Sequence, residues 1–122
     1  IAVAWGQCWD VFIDNVVDGI DEVAGELDLR TAAPFGARSL DHAFTGLPTR
    51  WEARLVGPDG FTVAPEGSDP WCQVYSGEEI GRAGAAVEPM TCPPDAFTTG
   101  EGVIVLEPGE SHVFSFRIHA PR

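Results

Sequence analysis

An antiparallel all-β domain is the fold class that this sequence predicts, and three observations predict it. Gly 14 and Pro 10 among 122 residues place turn-formers at short intervals along the whole chain. Between them, apolar residues alternate over short stretches rather than recurring every three or four positions. Two of those stretches are followed by strong turn sequences, Gly57-Pro58-Asp59-Gly60 and Pro108-Gly109. A chain of 122 residues makes one domain. At that size it buries roughly two thirds of its unfolded surface, which two packed sheets achieve if their edge strands are managed.

Taken in order, residues 1–16 form a segment with Val3, Trp5, Val11 and Ile13 at even spacings, which predicts strand without placing it in the fold. Residues 17–122 carry the rest of the domain. Asp18, Asp21, Glu22, Glu26 and Asp28 make an acidic, Gly-punctuated stretch expected to wrap the surface. In Ser39-Leu40-Asp41-His42-Ala43-Phe44, an extended backbone turns Leu40 and Phe44 away from Asp41. The plain alternative makes Asp41 a turn or strand-end cap. Trp51, Ala53 and Leu55 share one face with Glu52 and Arg54 on the other, and the turn after Val56 leads into Phe61-Thr62-Val63-Ala64 as a hairpin. A further strand covers Trp71-Cys72-Gln73-Val74-Tyr75-Ser76 and stops at Gly77. Residues 83–88 read as extended, because Pro89 disfavours helix at Glu88. Last, Val103-Ile104-Val105-Leu106 and His112-Val113-Phe114-Ser115-Phe116-Arg117-Ile118 predict a hairpin about the Pro108-Gly109 turn.

Charge removes several function classes. Seven Lys and Arg against nineteen Asp and Glu give a net charge of −12, which opposes nucleic acid and anionic membrane surfaces alike. A 44% hydrophobic content rules out a disordered acidic tail. No apolar run reaches the ~18 residues of a membrane span, and no signal-peptide pattern occurs. Three cysteines, Cys8, Cys72 and Cys92, without a C-x-x-C pair, read as reduced thiols in a cytoplasmic protein. A Cys72–Cys92 bridge is compatible with the sequence but required by nothing in it. The chain opens on Ile1 rather than Met, which reads as a start partway through a longer product.

The common catalytic signatures are missing: no G-x-G-x-x-G, no G-x-x-x-x-G-K, no H-E-x-x-H and no G-x-S-x-G. His42, His112 and His119 stand in unrelated contexts, the last two read as surface positions, and no spacing supports a metal site. Carboxylates remain. Glu88 lies within the apolar, proline-stiffened run Ala85-Ala86-Val87-Glu88-Pro89-Met90, where desolvation is expected to favour its neutral form and suit it to act as a base near neutral pH. Its plain reading is an ordinary surface glutamate.

Four segments, in this order and spacing, resemble the C-terminal half of the aldose 1-epimerase (galactose mutarotase) family: Leu40-Asp41-His42-Ala43-Phe44, Gln73-Val74-Tyr75-Ser76-Gly77, Glu88-Pro89-Met90-Thr91-Cys92-Pro93-Pro94-Asp95-Ala96-Phe97, and Leu106-Glu107-Pro108-Gly109-Glu110. The third is the most specific. The resemblance runs from about Val17 to Ile118 and implies part of a large antiparallel β-sandwich that interconverts the α and β anomers of a free aldose such as galactose or glucose. It implies Glu88 as the general base that takes the anomeric proton, with Asp41 and Gln73 binding sugar hydroxyls. Neither metal nor cofactor is implied. Proton removal at O1 and delivery to the ring oxygen need only a base and an acid. The family's acid histidine, a second pocket histidine and an arginine come from an N-terminal half that has no counterpart here. His42, on the opposite strand face from Asp41, is no substitute. The expected partners are therefore a monosaccharide and an N-terminal half or another chain that completes the sandwich. Two other readings compete: a non-catalytic carbohydrate-binding module using Asp41, Gln73 and Trp71, and an assembly subunit that completes a partner's sandwich.

Overall fold

The computed structural model describes residues 8–11, 24–31, 36–56, 62–67 and 70–119. Its strands are β1 (Cys8–Val11), β2 (Asp41–Phe44), β3 (Trp51–Val56), β4 (Thr62–Gly67), β5 (Trp71–Tyr75), β6 (Ala86–Met90) and β7 (Phe116–His119). Among the described residues helix is confined to one turn, α1 (Ala96–Thr99), and to 3-10 turns at Gly25–Leu27 and Glu78–Ile80. Every strand pair is antiparallel, in a four-stranded sheet ordered β1-β3-β4-β7 and a three-stranded sheet ordered β2-β5-β6. This is the expected all-β sandwich architecture. Among the described residues no helix is long and apolar enough to cross a membrane.

The period-two pattern of the sequence explains how the sheets meet. On β3, Trp51, Ala53 and Leu55 are buried while Glu52 and Arg54 between them pair with each other. Cys72 and Val74 of β5 are fully buried, as is Phe44 of β2. These residues form one core with Leu29, Leu40 and Ala85, so both sheets contribute their apolar faces to the same interior. Leu29 is delivered by a loop that Arg30 stiffens. The guanidinium forks onto Asp28 at 2.9 and 2.8 Å, and these hydrogen bonds hold the Asp28 carboxyl down at about 2.

The hairpin from β3 to β4 forms as the sequence predicts, with Leu55 opposite Val63 and Trp51 opposite Gly67; its turn, residues 57–60, lies outside the described residues. Of the acidic stretch, residues 18–23 also lie outside them. The final hairpin is different. The turn exists, with Gly109 at φ 92 and the Glu110 amide donating to the Glu107 carbonyl at 2.9 Å. Its arms do not pair: residues 103–106 form no strand, and only Phe116–His119 do, against β4 instead. Alternation becomes strand where a second layer takes up the apolar side chains, and no described residue covers this face. Val105 stays 77% exposed and Val113 84% exposed. A second expectation also changes. His119 is half-buried, with Nε2 3.5 Å from Glu52 and an unpartnered Nδ1, rather than lying free on the surface.

Candidate functional site

The core side of the three-stranded sheet is apolar, so the opposite side carries its chemistry. Pleating sends Cys72 and Val74 inward and leaves Trp71, Gln73 and Tyr75 on the outer face of β5. Register extends that face across the sheet. Ala43, Gln73 and Glu88 form one rung, Asp41, Tyr75 and Ala86 the next, and Trp71 faces Met90. Asp41 and Glu88 therefore flank the central strand on one face, two strand spacings (about 10 Å) apart and offset by one pleat repeat. His42, Val74 and Val87 occupy the intervening rung and point the other way. His42 is thus on the face away from Asp41, as strand alternation requires.

Over this face lies a cavity of about 440 Å³, lined by Asp41, Gln73, Tyr75, Glu79, Glu88, Met90 and Pro94. Its size is in the range of small-molecule sites. All three residues singled out in the sequence, Asp41, Gln73 and Glu88, meet here. Trp71 shares the face but does not line the cavity.

Gln73 joins the carboxylates. Its Nε2 donates to Asp41 Oδ1 at 2.7 Å, and its Oε1 is buried with no partner. The alternative amide orientation would set Oε1 against the carboxylate, acceptor against acceptor, so the geometry selects this one. Among the described residues the polar groups of the cavity wall include three carboxylates and no basic side chain. Such a wall favours a ligand that brings hydroxyl donors and disfavours an anion.

Glu88 departs from one expectation. It is exposed in the cavity, not enclosed by the apolar residues beside it in sequence. Alternation is the reason: Val87 packs on the core from the other face, and its bulk never surrounds the carboxylate. Four lining residues escaped the sequence reading. Tyr75 had a signal, since it stands two residues from Gln73 and shares its face. Met90 and Pro94 arrive through the β5–β6 register and the corner after it, and Glu79 through the 3-10 turn, none of which local sequence reports. The Glu79 amide donates to Tyr75 Oη at 2.8 Å, which ties that turn to the cavity wall. Among the described residues no cluster of three His, Cys, Asp or Glu could hold a metal ion.

The profile of the family described as aldose 1-epimerase matches residues 14–119, a span that includes every residue lining the cavity. The chain belongs to the aldose 1-epimerase family. It is similar to a protein of Escherichia coli (strain K12) named Uncharacterized protein YihR, with 38% identity over 119 residues and 88% of this chain covered. The chain spans only 39% of the length of that relative. No solved structure matches it significantly.

Proposed function

We propose that these residues form the base and ligand-holding side of a site that interconverts the anomers of a free aldose. The observation that carries the reading is the Gln73 amide fixed on Asp41 beside Glu88, in a carboxylate-lined cavity of sugar size. Asp41, held by the Gln73 amide, accepts a sugar hydroxyl. Glu88 takes the proton from the anomeric hydroxyl. As the O1–H bond breaks, C1=O1 forms and the C1–O5 bond opens, while an acid protonates the ring oxygen. Rotation about C1–C2 and the reverse steps close the ring as the other anomer. Among the described residues no histidine lines the cavity, so in this reading the acid comes from outside it. The exposed apolar residues between Ile104 and Ile118 offer a face on which a further segment or another chain would pack.

The test is polarimetry of freshly dissolved α-D-glucose and α-D-galactose with the complete protein. Acceleration well above the spontaneous rate is expected. Saturable sugar binding without acceleration would replace this reading with that of a carbohydrate-binding module.

A further inference from the structure

Asp41 begins β2, and the residue before it is held unusually. In a closed antiparallel rung each residue gives an N–H and takes one through its carbonyl. Ser76 N–H donates to the Leu40 carbonyl at 2.8 Å, but Leu40 N–H donates to the Ser76 hydroxyl, also at 2.8 Å. The hydroxyl stands in for a backbone carbonyl. It must, because Gly77 at φ 78 turns the chain out of the strand, and a Cβ there would lie 2.1 Å from the Gly84 carbonyl oxygen.

A hydroxyl substitutes for a carbonyl only while its own proton points elsewhere. Two acceptors are within reach of it, Leu40 O at 3.1 Å, which already takes the Ser76 amide, and Glu78 Oε1, charged and nearer at 2.5 Å. Its proton therefore goes to the carboxylate, which leaves a lone pair for Leu40 N–H. Arg82 Nη1 holds the same carboxylate oxygen at 2.7 Å. The same guanidinium donates to the Arg38 carbonyl at 2.8 Å and the Gly36 carbonyl at 2.9 Å. Arg82 sits at φ 61, a conformation that a non-glycine side chain adopts only when its contacts compensate. Hydrogen bonding from Ser76 above all, with Ser39 and Arg82 adding to it, keeps the Glu78 carboxyl below its usual range.

We infer that Ser76, Glu78 and Arg82 are a positioning device for sugar binding, which fixes residues 36–40 and thereby sets Asp41 against Gln73. None of the three lines the cavity, and all act through the backbone that enters β2. Two neighbouring glutamates thus divide the work of one turn, Glu79 facing the cavity and Glu78 facing its support. The inference rests on the aldose reading above for its kinetic consequence but not for its structural one.

Ser76→Ala and Glu78→Gln in the complete protein test it. Each is expected to raise KM for the sugar about fivefold and to lower kcat by no more than Asp41→Asn does, because a misplaced Asp41 loses ligand contacts while Glu88 on β6 is untouched. In an Asp41→Asn background, Ser76→Ala should add little, since its target is already lost. Equal effects in both backgrounds, or a fall in kcat at constant KM, overturn the inference. A readout independent of turnover is the side-chain amide resonance of Gln73, which reports the bond to Asp41 and should shift in both variants. Such a shift in a protein that accelerates no sugar would retire the aldose reading and leave the positioning standing. An unmoved Gln73 resonance in folded variants overturns the positioning regardless of activity.

Discussion

Gln73 donates its amide to Asp41 at 2.7 Å while standing across the β5–β6 register from Glu88. One uncharged side chain thus stands between two carboxylates on a single sheet face. The two acids differ in setting, Asp41 held by a donor and Glu88 exposed in the cavity, and the proposed function gives them different tasks.

For Glu88, the expected effect is on rate. Glu88→Gln keeps the shape but removes the basic carboxylate, so kcat for mutarotation by the complete protein should fall about 10²-fold or more, with a modest change in KM. Near-normal turnover measured by polarimetry would remove Glu88 from the role of base.

Asp41→Asn is expected to raise KM as well as lower kcat, each by about tenfold, because hydrogen bonds to a charged acceptor orient the sugar. Steady-state kinetics on the preferred aldose decide it, and unchanged constants would sink the assignment.

Gly77 is the tightest backbone position of the support. Gly77→Ala meets the Gly84 carbonyl oxygen at 2.1 Å and strains a φ of +78. Thermal or urea unfolding should show a loss of about 2 kcal/mol or more.

Cys72 is fully buried, and burial pushes its thiol up to about 12 from 9.0. The folded state therefore binds more protons than the unfolded state between those values, and stability contributed by the neutral thiol falls as pH rises from 9 toward 12. Cys72→Ala should flatten that alkaline decline in urea midpoints. In native protein Cys72 should also resist thiol reagents that label half-buried Cys92.

The chain alone should associate. β7 ends its sheet, and Phe114, Phe116 and Ile118 are 40, 50 and 38% exposed. Sedimentation of these 122 residues is expected to show oligomers, and polarimetry no mutarotation above background, with both reversed by a segment or chain that supplies the proposed acid, in cis or in trans. A stable monomer that interconverts anomers quickly would overturn both expectations.

Local chemistry determined a good deal of this protein by itself. Period-two alternation is enough to bury Trp51, Ala53 and Leu55, to send Cys72 and Val74 inward and to bring Gln73 outward, because pleating acts residue by residue. The motifs around Asp41, Gln73 and Glu88 carry the family in their order and identity, and each side chain keeps its chemistry wherever the fold takes it. Only the tertiary structure decided what those residues meet. Register across β2, β5 and β6 set Gln73 between Asp41 and Glu88 and exposed the latter, although its sequence neighbours are apolar. The same alternation in residues 103–118 did not produce the hairpin it resembles, since a strand face is stable only against a covering layer. Pairing and covering depend on residues distant in sequence, such as Leu40 with Ser76, and no local pattern contains that information.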